Sequence, residues 1–304
     1  MIAPVRVGLV GCGRLAERGY LPAFALSQSL ALVAVADRDE GQARTLALGL
    51  PCHGSARDLL THEDVELLVL AHAADAHVPD ALAAATVGVF SLVEKPPAKT
   101  ATEVRKLVGI EPSAWLGFNR RFEPAIGELR SRFARTSPAS LELELSIQST
   151  VWGARDGSEA VLLDLGPHLV DLAVWLTGRS PSRVRVASLT DSDAAFDIDL
   201  EGLVASVSIS HERGWRERVT ARDGRGRTVA RLARGGLVRR VAARTRCSAP
   251  GPLARTLALQ LAAAGRAVRG GAIDPRLATA RDGVAVMEVL DAVAAARGRE
   301  WKTL

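Results

Sequence analysis

A short β-branched run followed at once by a glycine-rich segment limits how this chain can fold. Residues 5–10 (VRVGLV) predict a buried strand, and Gly11-Cys12-Gly13-Arg14-Leu15-Ala16 follows with the spacing G-x-G-x-x-A. Gly11 permits a tight turn, Gly13 lacks the Cβ that would block a pyrophosphate, and Ala16 lets a helix lie close to the sheet. The segment therefore predicts a dinucleotide-binding βα unit.

Asp37 follows the second predicted strand, residues 30–36 (LALVAVA). An acidic side chain at this place accepts the hydroxyls of an adenosine ribose and repels a 2′-phosphate, which favours NAD(H). The guanidinium of Arg38 could instead stack on adenine or reach a 2′-phosphate, so NADP(H) stays open.

Further βα units continue this pattern as far as residue 118. The predicted strands and helices alternate: strand 65–71, helix 79–86, strand 89–93, helix 100–108 and strand 114–118. Repeated units of this kind predict a doubly wound parallel sheet with right-handed crossovers.

Lys95 stands where the apolar run 89–93 meets two prolines. Neither Pro96 nor Pro97 can donate a hydrogen bond to a sheet, so the strand must end there. Open α/β sheets bind their ligands at the carboxyl ends of strands, and burial can tune the pKa of an ammonium. Lys95 is therefore a candidate catalytic group; the alternative is a solvated lysine in a proline-rich turn.

The hydrophobic period changes after residue 118, which predicts two domains, 1–118 and 119–304. Alternating apolar and polar residues predict a large, mainly antiparallel sheet with one open face in an α+β domain. Its predicted strands are 141–147, 184–188, 198–201, 203–210, 219–221 and 228–232, and helical spacing covers 124–133, 253–268 and 277–297.

Asp164 and His168 belong to an apolar stretch of the second half, LLDLGPHLVDLAVWL. They are four residues apart, but Pro167 makes a continuous helix between them doubtful. A carboxylate beside an imidazole can orient a general base. The alternative is that the two residues cap a helix or are buried polar groups with their hydrogen bonds already made.

Composition excludes several classes of protein. Of the 304 residues 48% are hydrophobic and 24% charged, as in globular proteins. The three cysteines are scattered and show neither metal-ligand spacing nor a disulfide framework, so we expect no metal and a cytoplasmic protein. No basic leader precedes the first strand, and no apolar run nears the roughly 18 residues of a membrane span.

Positive charge is concentrated in one segment. The net charge is +5, and twelve arginines fall between Arg213 and Arg246, together with one aromatic residue, Trp215. Proteins that bind single-stranded nucleic acid stack bases on several aromatic rings, so we expect no nucleic-acid partner. The cluster predicts a solvated sheet face or, alternatively, a site for an anionic substrate.

Together these segments resemble the glucose–fructose oxidoreductase / inositol dehydrogenase family (Gfo/Idh/MocA). The resemblance rests on GLVGCGRLAE, AVADRD, VEKPPA, GFNRRFEP, LLDLGPHLVDLAVWLTG and the closing AVMEVLDAVAAARGREWKTL. It implies an N-terminal Rossmann domain and a C-terminal domain whose open sheet face forms a homo-oligomer, a dimer or a tetramer. It also implies a small-molecule substrate.

The resemblance assigns roles to individual residues. Lys95 would contact substrate and nicotinamide, His168 would be the general acid/base, and Asp164 would bind substrate or support the histidine. The Lys95–Pro96 bond is often cis in such proteins. The implied cofactor contacts are Gly11, Cys12, Gly13, Arg14, Leu15, Asp37, Arg38, His72, His77, Glu94 and Lys95. The candidate substrate contacts are Lys95, Arg120, Arg121, Asp164 and His168; for the two arginines a structural ion pair is the alternative.

The implied reaction transfers a hydride between nicotinamide C4 and a secondary alcohol or ketone of a sugar- or cyclitol-like substrate. Two alternatives remain open from the sequence. One is a ketoreductase for a nucleotide-linked or antibiotic sugar, and the other is a dinucleotide-binding regulator without turnover.

Overall fold

The computed structural model describes residues 3–136, 138–148, 160–235, 251–296 and 298–304. Two seven-stranded sheets dominate the described chain. The predicted combination of a parallel α/β sheet and a second, mainly antiparallel sheet is therefore confirmed. The arginines after residue 235 and Cys247 lie outside the described residues.

The first sheet is doubly wound. Its strands are β1 (Val5–Val10), β2 (Leu30–Ala36), β3 (Cys52–His53), β4 (Leu67–Leu70), β5 (Phe90–Val93), β6 (Ala114–Leu116) and β13 (Ala278–Thr279). They lie in the order β13-β6-β5-β4-β1-β2-β3. All neighbours are parallel except β13, which pairs antiparallel with β6.

The second sheet is mainly antiparallel. Its strands are β7 (Ser140–Ser146), β8 (Pro181–Leu189), β9 (Asp193–Leu200), β10 (Leu203–Ser210), β11 (Arg216–Arg222), β12 (Thr228–Gly235) and β14 (Lys302–Thr303). They lie in the order β12-β11-β7-β10-β9-β8-β14. Only β7 and β10 are parallel, among the pairs that the described residues form.

Helices connect and cover the strands. A π-helical turn spans Ala16–Tyr20 and a 3₁₀ turn spans Asn119–Phe122. The α-helices are α1 (Leu21–Ala25), α2 (Glu40–Ala47), α3 (Ala56–His62), α4 (Ala74–Thr86), α5 (Ala101–Arg105), α6 (Pro124–Thr136), α7 (Val161–Asp164), α8 (Gly166–Thr177), α9 (Pro252–Val268) and α10 (Ala280–Ala294).

Helix α4 begins five residues earlier than the predicted start at Pro79. The proline marks an interior position of the helix rather than its first turn. Pro79 cannot donate to the carbonyl of Asp75, so the helix lacks one of its backbone hydrogen bonds there. The earlier start places His77 inside the helix, where it is buried.

The chain divides into two compact units that differ from the predicted continuous domains 1–118 and 119–304. Unit one comprises 1–122 and 250–284, and unit two comprises 123–249 and 285–304. The cause is α9, whose Leu257 and Leu261 belong to the core under the first sheet. Gln260 Nε2 also donates to the Leu116 carbonyl of β6 at 3.0 Å.

One face of the second sheet is buried and the other carries paired charges. Along β7, Leu141, Leu143 and Leu145 are buried, whereas Glu142 is exposed. Cross-strand ion pairs follow the polar face: Arg185 with Asp197, Arg222 with Glu142, and Arg216 and Arg218 with Glu144. These arginines favour the solvated-face interpretation of the basic cluster.

Two helix glycines should respond oppositely to alanine. A Cβ at Gly283 in α10 would overlap Leu116 and lie 3.1 Å from Val104, whereas nothing lies within 4 Å of one at Gly127 in α6. Gly283→Ala is expected to lower the free energy of unfolding by about 1–3 kcal/mol through overpacking. Gly127→Ala is expected to raise it by up to about 1 kcal/mol. Denaturant unfolding measures both, and equal effects would contradict this packing.

Candidate active site

The glycine-rich turn lies at the carboxyl end of β1. Gly11 has φ +97°, and a Cβ there would lie 2.5 Å from the His72 nitrogen and 2.6 Å from the Ala71 carbonyl carbon. No other residue fits both the dihedral angle and the close approach. The chain proceeds from β1 to β2 and β3 on one side and to β4, β5 and β6 on the other. The turn therefore lies at a topological switch point, where open α/β sheets bind ligands.

Asp37 connects the end of β2 to this turn. Its Oδ2 accepts a hydrogen bond from the Cys12 N–H at 2.7 Å, and its Oδ1 accepts one from the Asp39 N–H at 2.9 Å. An ionised carboxylate has lone pairs for further donors, so these bonds leave it able to receive ribose hydroxyls. Arg38 is exposed beside it.

The remaining residues of the turn differ in exposure. Arg14 is exposed and Leu15 is half-buried. Burial, followed by the charge of Asp37 and by Cys52, raises the pKa of the Cys12 thiol to about 12. The Cys12 side chain is therefore a neutral thiol at physiological pH, and its contribution to the turn is the backbone N–H.

Two histidines follow β4 and stack, with ring centroids 5.0 Å apart. His72 Nε2 lies 2.7 Å from Asp80 Oδ2, and His77 Nδ1 lies 3.0 Å from the Pro96 carbonyl oxygen. A carbonyl only accepts, so Nδ1 of His77 carries the proton. Burial, and then the neighbouring His72, lower the pKa of His77 to about 4. His77 is thus a neutral, buried donor to Pro96.

Glu94 and Lys95 follow β5. The Glu94 carboxyl is buried, and it accepts hydrogen bonds from the Tyr20 hydroxyl at 2.6 Å and from the Lys95 N–H at 3.0 Å. Lys95 is half-buried, and the Lys95–Pro96 bond is cis, as the resemblance implies. Tyr20 was missed in the sequence, where it gives only the signal of a core aromatic residue.

Arg121 forms the structural ion pair that the sequence left open. Its side chain is 3% exposed and lies 3.1 Å from Asp282 Oδ1. Burial raises the pKa of Asp282, but Arg121 and Thr279 outweigh it and the net shift is downward. Arg120 is half-buried in the same 3₁₀ turn, so it remains a candidate substrate contact.

In unit two, Asp164 ends α7 and His168 lies in the first turn of α8. Leu165 separates the two helices, so the doubt that Pro167 raised about a continuous helix is confirmed. Gly166 lies at the junction, where a Cβ would be 2.8 Å from Leu290 Cδ2. Asp164 and His168 are both half-buried.

His211 is a candidate residue that sequence reasoning missed. It follows β10, and its Nε2 lies 3.0 Å from Asp164 Oδ2. Its backbone N–H donates to the Ser192 carbonyl at 2.8 Å, which fixes the residue at the strand end. The sequence signal was a single histidine directly after an alternating strand. Lys95 belongs to unit one, whereas Asp164, His168 and His211 belong to unit two.

The described residues contain neither a group of metal-ligand side chains nor a membrane-spanning helix. There, no three His, Cys, Asp or Glu side chains group as metal ligands. Nor does any described helix have the length and hydrophobicity of a membrane span.

Residues 5–114 match the Gfo/Idh/MocA model, an oxidoreductase family with an NAD-binding Rossmann fold. The match covers the N-terminal part of the chain. The chain is 30% identical over 194 residues to the rhizopine catabolism protein MocA of Rhizobium meliloti, and the match spans 60% of each chain. It is 28% identical over 274 residues to inositol 2-dehydrogenase of Acidothermus cellulolyticus, covering 80% of this chain and 77% of that one.

The fold is also similar to a crystal structure of myo-inositol dehydrogenase from Lactobacillus casei in complex with NAD(H) and myo-inositol. The TM-score is 0.80 at 16% identity, over 99% of this chain and 97% of that one. At this identity the likeness establishes the fold alone.

The low pKa of His77 predicts a pH-dependent stability. Its folded-state pKa of about 4 lies below the ordinary 6.5, so the unfolded chain binds the proton better. The stabilisation is complete above the ordinary value and is lost as the pH falls towards 4. From about pH 7.5 to about pH 5, the wild-type protein should lose about 2 kcal/mol more unfolding free energy than His77→Asn. Denaturant unfolding measures this, and equal losses would contradict the buried neutral imidazole.

Proposed function

We propose that this chain is an NAD(P)-dependent oxidoreductase. It transfers a hydride between nicotinamide C4 and a secondary alcohol or ketone carbon of a sugar- or cyclitol-like substrate. The observation that carries the proposal is Lys95, a half-buried ammonium at the carboxyl edge of the sheet that also holds the glycine-rich turn.

The residues at this edge fit a dinucleotide. Gly11 keeps the turn free of a side chain, and Asp37 is held at the turn by the Cys12 N–H. The bound nicotinamide supplies or accepts the hydride, a chemistry that no amino-acid side chain offers. NAD(H) is the favoured cofactor because the Asp37 carboxylate suits ribose hydroxyls and repels a 2′-phosphate.

In this proposal three side chains stabilise the developing charge, transfer the proton and orient the reacting groups. Lys95 stabilises the negative charge that develops on the substrate oxygen, because an ammonium in a water-poor site favours an alkoxide. His168 takes the hydroxyl proton during oxidation and returns it during reduction. Asp164 binds substrate or orients the imidazole, and His211 supports that carboxylate through its 3.0 Å contact.

The substrate class is supported by the relatives. One of them is an inositol 2-dehydrogenase, and one structure of the same fold contains NAD(H) and myo-inositol. A cyclitol carries a ring of secondary hydroxyls, the group on which the proposed reaction acts. The described arginines of β11 do not favour the nucleotide-sugar alternative, because Arg216, Arg218 and Arg222 already face carboxylates of β7.

A homo-oligomer and a cytoplasmic location complete the proposal. The first rests on the family resemblance, which implies an oligomer formed through the open face of the second sheet. The scattered cysteines support the second. A sedimentation mass equal to the 32.1 kDa of one chain would contradict the oligomer, and recovery of the protein outside the cytoplasm in cell fractionation would contradict the location.

Lys95→Ala is expected to lower kcat about 100- to 1,000-fold, the loss typical of removing one charge-stabilising donor. The Kd for NADH should change by no more than a few-fold. Lys99→Ala is the matched control, since Lys99 is an exposed lysine paired with Asp75 at 3.7 Å. Steady-state turnover of a cyclitol and sugar panel measures kcat, and NADH fluorescence measures binding.

Full turnover by Lys95→Ala would remove the catalytic assignment. A non-catalytic regulator is distinguished by isotope transfer: no label passing from C4-deuterated NADH to any ketone of the panel would support that alternative.

Asp37 should decide cofactor choice. The wild-type protein is expected to bind NADH more tightly than NADPH. Asp37→Ala should weaken NADH binding about 10- to 100-fold, the value of charge-assisted hydrogen bonds of about 1.5–3 kcal/mol. Glu40→Ala is the control, because it removes a nearby exposed carboxylate that pairs with Arg44. Fluorescence titration of both cofactors measures the ratio, and tighter NADPH binding by the wild-type protein would refute the preference.

A further inference from the structure

Hydrogen bonds hold the backbone on either side of the Lys95 side chain. The Lys95 N–H donates to the Glu94 carboxyl, and the Pro96 carbonyl accepts from His77. We propose that Tyr20 and His77 are positioning residues for Lys95. Tyr20 acts through the Glu94 carboxyl that accepts the Lys95 N–H, and His77 acts by donating to the carbonyl of Pro96. This inference rests on the proposed role of Lys95.

The first contact runs from Tyr20 to Glu94. Tyr20 is the only tyrosine of the chain and is fully buried. It ends a π-helical turn in which the Leu21 N–H donates to the Ala16 carbonyl. Such turns are rare and recur at functional sites. Gly19 lies against α9, since a Cβ on Gly19 would be 2.8 Å from Leu257. The turn is therefore packed closely against the core.

Gly117 closes the space around the Glu94 carboxyl. A Cβ at Gly117 would lie 2.9 Å from the Glu94 Cα and 2.9 Å from its Oε2. The Gly117 N–H also donates to the Val93 carbonyl at 2.6 Å. The carboxyl is thus enclosed between Tyr20 and the β6 end of the sheet, and it has little freedom to leave the Lys95 N–H.

The second contact runs from His77 to Pro96. The imidazole is 1% exposed, and the stack on His72 restricts its ring. Its Nε2 is buried with no hydrogen-bond partner among the described residues. The Pro96 carbonyl is therefore the acceptor that holds the Nδ1 side of this buried ring.

Because they are buried, Tyr20 and His77 do not contact the reacting groups directly. Burial, and then the Glu94 charge and hydrogen bond, raise the pKa of Tyr20 well above its ordinary value. The hydroxyl therefore remains a donor. Tyr20 and His77, at 0% and 1% exposed, are closed off from a ligand at the sheet edge, so they act through the backbone of Lys95.

Kinetics with matched variants tests the proposal. Tyr20→Phe removes only the hydroxyl, and His77→Leu removes the donor to Pro96. Each should lower kcat about 10- to 100-fold, because a displacement of about 1 Å has this effect on a reacting group. The KM and the NADH Kd should stay within about two-fold, since no binding contact is removed.

Two further variants separate positioning from packing. His77→Asn places an amide N–H near the position of Nδ1 and should restore most of kcat. Phe24→Leu alters the ring whose centroid lies 6.4 Å from that of Tyr20 but removes no hydrogen bond, so kcat should not change. Equal losses in His77→Asn and His77→Leu would overturn the role of His77. An equal loss in Phe24→Leu and Tyr20→Phe would overturn that of Tyr20.

A second readout needs no turnover. The chain has only four lysines, so reductive methylation with ¹³C-formaldehyde gives few NMR signals, and Lys95→Arg assigns the one of Lys95. Tyr20→Phe and His77→Leu should each move the Lys95 signal and leave those of Lys99, Lys106 and Lys302 unchanged. If Tyr20→Phe does not fold, the His77 pair decides alone.

The two readouts distinguish the two possible failures. Full turnover by Lys95→Ala, with the NMR shifts as expected, would refute the proposed function and leave the positioning of Lys95 supported. An unmoved Lys95 signal together with wild-type kcat in Tyr20→Phe and His77→Leu would overturn the positioning role.

Discussion

The close approach of two backbones at the carboxyl ends of β1 and β4 is the constraint on which unit one depends. Gly11 lies so near Ala71 and His72 that the Cβ of any other residue would overlap their backbone atoms. The strand order reverses at this contact. The Cys12 N–H that follows Gly11 holds Asp37, and β5, beside β4, carries Lys95. A methyl group on residue 11 would therefore disturb the backbone contact between the candidate cofactor turn and the end of β4. β4 in turn lies next to β5, the strand that precedes Lys95.

Local signals were enough to predict the strands that build this edge. β1 and β2 have the predicted bounds, because each is a short apolar run that stops at a residue with a clear conformational or polar role, Gly11 or Asp37. The predicted start of α4 was wrong because it placed Pro79 in the first turn, where proline fits best, whereas Pro79 lies inside the helix. The place of α9 could not be predicted, since its amphipathic pattern indicates a buried face but not which sheet that face contacts.

The candidate site divides in the same way. Lys95 and Asp37 are recognisable because each lies within two residues of the end of an apolar strand. Tyr20 and His211 are not, because their partners Glu94 and Asp164 are 74 and 47 residues away in the chain. A tyrosine in a helical segment predicts core packing. Only the fold shows that its hydroxyl lies within hydrogen-bond distance of a carboxyl group. Polar partners at long range are what a single sequence conveys least.

Burial determines which groups near Lys95 can titrate. It raises the pKa of Tyr20 and Cys12 and lowers that of His77, so all three are neutral near physiological pH. A group whose pKa lies far from neutral pH does not change its protonation there, so its hydrogen bond does not change as the pH varies around neutrality. The hydrogen bonds from Tyr20 to Glu94 and from His77 to Pro96 therefore persist as the pH varies around neutrality. The proposed positioning of Lys95 thus depends on two fully buried groups, whereas the proposed general acid/base, His168, is half-buried.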